Sequence, residues 1–219
     1  MSPAVAGRVP RMVLDVLFPP RCAGCSRPGA RLCPLCLAAF GPPGRVPGSG
    51  TGPPVYALAD YAGAAREAVL AFKERGRREL AVVFGALVAA ALPLLPEAGP
   101  EPWLVPAPSR RSAARARGGS HVLGVARASG FSTAPALAFV KGVRDSVGLS
   151  PAARRANLTG RLRLVPDGLP PPGSAIVLLD DVITTGSTAS ACISTLRTGG
   201  FRVSLVLVLT TARRPHPHG

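Results

Sequence analysis

Apolar and polar positions change period several times along this chain, and each change marks an element. Val55 to Tyr61 alternates weakly, as a strand with one wet face does. Ala64 to Arg75 takes a helical period, with Ala68, Val69 and Phe72 on one side and Gly76 placed as a C-cap. Glu79 to Leu92 reads as a second helix, apolar nearly all round and therefore buried. Trp103 to Val105 is a short strand stopped by Pro106-Ala107-Pro108. His121 to Ala128 predicts a helix, and Ala136 to Val140 and Leu162 to Val165 predict strands. Ser150-Pro151 predicts another helix start, with Ser as N-cap and Pro at the first helical position. Ala175 to Leu179 is an unbroken apolar run, the pattern of a strand buried on both faces. Ser187 to Leu196 then sets Ala189, Cys192, Ile193 and Leu196 on one helical face, and Val203 to Leu209 is a last strand. Strands alternating with helices over 55–211 predict a doubly wound α/β domain.

The first 54 residues break that rhythm. Residues 9–18 have the spacing of a short amphipathic helix, and two Cys-x-x-Cys pairs follow, Cys22/Cys25 and Cys33/Cys36, seven residues apart. Four thiolates so spaced can surround one Zn²⁺ tetrahedrally. Residues 1–40 are therefore expected to form a small module comprising that helix and the zinc segment, the metal folding the segment because its roughly 20 residues hold few apolar side chains and cannot build a core unaided. Residues 41–54, rich in Gly and Pro, read as a linker, and residues 212–219 as a disordered tail.

The densest chemistry follows the run at 175–179. Asp180 and Asp181 are expected to close that strand, and Thr184, Thr185, Gly186, Ser187 and Thr188 lead into the next helix. A loop entering a helix N-terminus offers unpaired backbone N–H groups at the positive end of the dipole, which suits a phosphate. Two carboxylates beside a phosphate fit if they accept hydrogen bonds from sugar hydroxyls or face the phosphates through Mg²⁺. The ligand expected is thus a ribose 5-phosphate. Because successive strand residues point to opposite faces, either the chain turns and both acids meet the ribose and Mg²⁺, or one meets them and the other braces the loop.

Charge changes the picture in one place. The chain holds 26 Lys and Arg against 11 Asp and Glu, a net charge of +15, and only Lys73 and Lys141 are lysines. Such a balance suits polyphosphates or nucleic acids. Four arginines crowd the eight residues from Arg110 to Arg117, directly after the strand at 103–105. If that strand neighbours the motif strand, Lys73, Ser109, Arg110 and Arg117 are candidates for a pyrophosphate group. No signal peptide or membrane span is evident, and a cytoplasmic, reducing location is expected, which argues against disulfides. His216 and His218 fall in the tail, and no Ser/His/Asp or Cys/His set for nucleophilic catalysis stands out.

Strand, acid pair, Thr184-Thr185-Gly186-Ser187-Thr188 and helix, in that order, resemble the phosphoribosyl pyrophosphate (PRPP) motif of type I phosphoribosyltransferases. Over nearly the whole chain the order of features resembles the ComF family of competence-associated phosphoribosyltransferase-like proteins. Pro19-Pro20-Arg21-Cys22-x-x-Cys25 and Leu32-Cys33-x-x-Cys36 are similar to its zinc finger, and Phe72-Lys73-Glu74-Arg75-Gly76 to its Phe-Lys-x-x-Gly element. Val105-Pro106-Ala107-Pro108, Arg117-Gly118, and Leu149 with Arg154 and Asn157 match further elements. Gly119-Ser120-His121 stands where the family usually has Phe-Asn-Gln, and Ser146 where a Gln is common. The resemblance implies a type I phosphoribosyltransferase-like fold with a mainly parallel sheet and a small four-cysteine zinc module. It implies PRPP with Mg²⁺ as ligand and a nucleobase or other nitrogenous acceptor. The other class it leaves open is an accessory role with single-stranded DNA and DNA-uptake proteins.

Overall fold

The computed structural model describes residues 19–47, 52–109, 120–140 and 161–212. The expected helices at 9–18 and after Ser150, the arginines from 110 to 117, and the tail from 213 lie outside the described residues. The strands are β1 (Gly44–Arg45), β2 (Val55–Ala57), β3 (Trp103–Pro106), β4 (Leu137–Phe139), β5 (Leu162–Leu164), β6 (Ile176–Ile183) and β7 (Val203–Thr211). The helices are α1 (Pro34–Leu37), α2 (Gly63–Lys73), α3 (Leu80–Ala91), α4 (His121–Ala128) and α5 (Ser187–Thr198).

Five strands form one sheet in the order β1-β2-β7-β6-β3. All its pairings are parallel except β1 with β2. This is the predicted class, α/β with a mainly parallel sheet and a four-cysteine cluster near its N-terminal side. The central strands are apolar on both sides because both faces are covered. On one face Val177, Leu179, Leu205, Leu207 and Leu209 meet Ala68, Val69 and Phe72 of α2, Phe84 and Val88 of α3, and Val125 of α4. On the other, Ile176, Leu178, Val206 and Val208 meet Ala189, Cys192 and Leu196 of α5. Leu207→Ala removes a fully buried side chain from the central pair of strands. It is expected to cost about 2–5 kcal/mol, read as a fall in the chemical denaturation midpoint with an unchanged slope.

Two expectations shift. β6 does not end at the acid pair: it runs on to Ile183, because Asp180, Val182 and Ile183 stay in register with Val208, Thr210 and Thr211 of β7. Backbone pairing with a neighbour outweighs the low strand preference of aspartate. The strands at Leu137–Phe139 and Leu162–Leu164 do not join the sheet but pair with each other, antiparallel, as a separate ribbon.

Candidate functional site

The carboxyl ends of β3, β6 and β7 lie side by side, so the loops that follow them open on one edge of the sheet. Gly186 caps α5 with φ 78°, a left-handed conformation that a side chain would strain. This lets the chain turn directly from the strand end into the helix. Thr185 Oγ1 lies 2.8 Å from Ser187 Oγ and accepts the Ser187 N–H at 3.4 Å. Thr184 and Thr185 are exposed at the edge, while Ser187 is buried beneath them. The first turn of α5 therefore carries its dipole and N–H groups to an edge rich in hydroxyls, an environment favourable to an anion.

The two aspartates leave the strand in opposite directions. Asp181 turns toward α2 and α4, where Lys73 Nζ is 2.9 Å from Oδ2 and His121 Nε2 is 2.6 Å from the same oxygen. Its Oδ1 accepts the Val182 N–H at 2.7 Å. Burial alone would raise this carboxyl, but the His121 hydrogen bond and the Lys73 charge prevail and hold it well below the usual range. Lys73 is affected reciprocally: burial lowers it, the Asp181 charge outweighs that, and its ammonium stays protonated above its ordinary range. Asp180 lies on the α5 side, its Oδ1 accepting the Asp181 N–H at 2.9 Å. Burial, reinforced by the negative charge of Asp181, pushes Asp180 up to about 8. The two carboxyls are thus pushed apart, Asp181 down by its cationic partners and Asp180 up by burial beside Asp181.

A third group enters this cluster that the sequence did not single out. His121, the first residue of α4, lies with Nδ1 3.4 Å from Ser109 Oγ, and Ser109 Oγ is 3.1 Å from Ser120 Oγ. Ser120 in turn caps α4 by accepting the Leu123 N–H at 3.4 Å. Ser109, His121 and Asp181 therefore form one hydrogen-bonded chain, although no Ser/His/Asp set was apparent in the sequence. An Nε2–H donated to the Asp181 carboxylate leaves Nδ1 as an acceptor toward Ser109. The available signal was His121 at the start of the helix after β3, since that helix end faces the strand's carboxyl edge.

At the N-terminal side, Cys22, Cys25, Cys33 and Cys36 bring their sulfurs within 4.8 Å of one another. Cys25 and Cys33 sulfurs are 3.7 Å apart. A tetrahedral ion with metal–sulfur bonds of about 2.3 Å would set its sulfurs about 3.8 Å apart, so the cluster has the size to hold one metal ion. One of the four donors is also prepared electrostatically. Burial raises the Cys22 thiol, but backbone N–H groups of Cys33, Cys25 and Gly24 outweigh it and hold the thiol down at about 6. Cys36, buried beside the other sulfurs, is pushed well above the usual range by burial and by those sulfurs. Gly24 is required here by space, because a Cβ would stand 2.8 Å from Cys36 Sγ.

No family model matches the chain, and none of the curated proteins matches it. Solved structures similar to it include one described as the allosteric regulatory enzyme of purine biosynthesis, with 18% identity over 68% of this chain and a TM-score of 0.41. This chain spans 31% of that enzyme's length. Another is hypoxanthine phosphoribosyl transferase of Trypanosoma cruzi, with 15% identity over 67% of this chain and 71% of that one, and a TM-score of 0.33. A third is a glutamine mutant from a study of an invariant aspartic acid in HPRTs, with 15% identity, coverages of 67% and 74%, and a TM-score of 0.32. At such scores these likenesses carry no argument about a ligand, which rests on the side chains themselves.

Of the candidate site residues, Asp180, Asp181, Thr184, Thr185, Gly186, Ser187 and Thr188 share the sheet edge with Ser109, and Lys73 reaches Asp181 across from α2. Arg110 and Arg117 lie outside the described residues. Cys192 is fully buried in the α5 face, as core packing requires. Among the described residues no helix is long and apolar enough to cross a membrane.

Proposed function

We propose that this chain is a PRPP-binding, phosphoribosyltransferase-like protein of the ComF family carrying a structural zinc ion, and that it transfers phosphoribosyl to a nitrogenous acceptor. The observation that supports this best is the edge itself: a parallel strand bearing two acids, a hydroxylic turn through left-handed Gly186, and a helix N-terminus. In this reading the 5-phosphate rests on Thr184, Thr185, Gly186, Ser187 and Thr188. Asp180, the acid that is not ion-paired to Lys73, meets the ribose hydroxyls, and Asp181 holds Lys73 and His121 in place. Lys73 and Ser109, with Arg110 and Arg117, face the pyrophosphate.

In the reaction, a nitrogen lone pair of the acceptor forms a bond to ribose C1 as the C1–O bond breaks. Pyrophosphate leaves with the electron pair, and the acceptor's proton passes to solvent. The protein's part is to orient the two reactants and to stabilise the departing charge. Mg²⁺ suits the oxygen donors of Asp180 and of the substrate, and when bound it adds positive charge opposite the pyrophosphate. Zn²⁺ suits the four sulfurs, and such a closed site has a folding role.

Titration calorimetry with PRPP and Mg²⁺ tests the reading. Saturable binding, tighter for PRPP than for ribose 5-phosphate, is the expected outcome, together with pyrophosphate release in the presence of some nucleobases. Absence of PRPP binding overturns it. A non-catalytic accessory role in DNA uptake, with single-stranded nucleic acid as ligand, is favoured by one observation: residues 19–47 carry four arginines and no acid. Nucleic-acid binding that survives Asp180→Asn, without pyrophosphate release for any base, would select that role.

A further inference from the structure

The four-cysteine module and the acid pair are joined by an unbroken series of packed rings. Phe40, four residues after Cys36, meets Phe84 edge to face at 5.6 Å between centroids. Phe84 meets Phe72 in the same way at 5.2 Å, and Phe72 meets the imidazole of His121 at 5.6 Å. His121 Nε2 is 2.6 Å from Asp181 Oδ2. Phe40, Phe72 and Phe84 are all buried, so the series runs through the core and not over the surface.

A second connection runs along α2. A Cβ on Gly24 would stand 3.2 Å from Ala64 Cβ, so the first cysteine knuckle rests on the start of α2. The other end of that helix is Lys73, 2.9 Å from Asp181. Just beyond it, Arg77 Nη2 donates to the Arg21 carbonyl at 2.9 Å, and Arg77 pairs with Glu79. The start of α2 and the segment just after its end thus both touch the cysteine module.

We propose that metal in the cysteine module and an anionic ligand at the Asp181 edge stabilise each other through this core. The module is the element with two states: with metal its knuckles are ordered, and without metal a segment so poor in large apolar side chains loosens. Close-packed cores do not deform smoothly, so loosening Phe40 releases Phe84 and Phe72, and with them His121 and Lys73. Those are the groups that hold Asp181. Linkage makes the effect reciprocal: a ligand that favours the ordered site also tightens metal binding by the same factor. The inference takes the ligand to be PRPP and so rests on the function proposed above.

The test uses the zinc-loaded full chain with excess Mg²⁺. The zinc dissociation constant is measured at equilibrium against a competing chromogenic chelator, with and without PRPP, and PRPP binding is measured separately by calorimetry. The zinc dissociation constant is expected to fall by about fivefold or more in saturating PRPP, the low end of ordinary coupling. Phe72→Leu, which keeps an apolar side chain but removes the ring from the middle of the series, is expected to bind PRPP and lose that gain in zinc affinity. Phe40→Leu serves the same purpose if Phe72→Leu does not fold. Because each variant sees the same solution, any zinc chelation by PRPP itself cancels in the comparison. PRPP binding to the parent with no change in zinc affinity overturns the coupling and leaves the function standing. An equal gain in parent and ring variant overturns the path. Failure of PRPP to bind overturns the function, and the coupling with it.

Discussion

Asp181→Asn is expected to lower both stability and PRPP affinity, whereas Asp180→Asn is expected to lower affinity and leave the unliganded protein more stable at alkaline pH. The contrast follows from their surroundings. Asp181 is buried against Lys73 and His121, and removing its charge leaves the partly exposed Lys73 ammonium without its counter-ion. Breaking one side of a buried pair typically costs about 3–5 kcal/mol. Lys73 keeps 38% of its side chain in contact with solvent, which discounts the figure to about 2–3 kcal/mol. For a domain of this size that is about 4–12 °C in melting temperature.

Asp180 carries the opposite sign. Its carboxyl is raised from 3.8 to about 8. Between those values the folded protein holds a proton that the unfolded chain has released, so stability falls as pH rises through that window. The loss is complete above about 8. Asn has no proton to lose, so the melting temperature of Asp180→Asn relative to the parent should increase from pH 4.5 to pH 8.5. Its PRPP affinity should fall about ten- to a hundredfold, the value of one hydrogen bond to a charged group. Calorimetric melting at the two pH values and PRPP titration of both variants decide the assignment. If Asp181→Asn melts like the parent, Asp181 is not the brace. If both variants bind PRPP like the parent, this edge is not a PRPP site.

Local pattern explains what the sequence made legible. The helical periods at Ala64–Arg75 and Glu79–Leu92 foretold α2 and α3 to within two residues, because their apolar positions repeat at the spacing of one buried face. The motif stretch was legible for another reason: an apolar run, a turn glycine and a hydroxylic helix start each have a separate physical cause, and they occur in order. What escaped depends on partners distant in the chain. Whether Asp180 and Asp181 lie inside a strand is decided by Val208 to Thr211 on β7. Whether Leu137–Phe139 joins the sheet depends on Leu162–Leu164, which takes its edge instead. His121 meets Asp181 across 60 positions, and no spacing rule encodes that. Which of the two acids is ion-paired is likewise decided by Lys73 on α2, not by neighbours along β6.

Cys36→Ser is expected to destabilise the whole protein and not the N-terminal segment alone. Serine keeps the size but replaces a soft thiolate with a hydroxyl that does not ionise near neutral pH, so the tetrahedral set falls to three ligands. Structural zinc in small modules is worth about 10–16 kcal/mol at neutral pH, more than most domains have in reserve, and losing one ligand forfeits a large part of it. The consequence spreads because Cys22, Leu32, Cys36 and Phe40 belong to the same apolar cluster as Phe72, Phe84, Leu179 and Leu207. Loosening the module exposes that face of the core to water. Metal analysis should fall from one zinc per parent chain to well below one in the variant, and thermal melting should shift down by tens of degrees or lose its cooperative transition. Cys25→Ser offers the graded comparison, since Cys25 is exposed and its replacement opens no cavity, whereas Cys36 is 4% exposed. Both variants should lose zinc, and Cys36→Ser should melt lower. A parent without zinc, or a Cys36→Ser variant that melts with it, would show that the four sulfurs gather for packing and not for a metal.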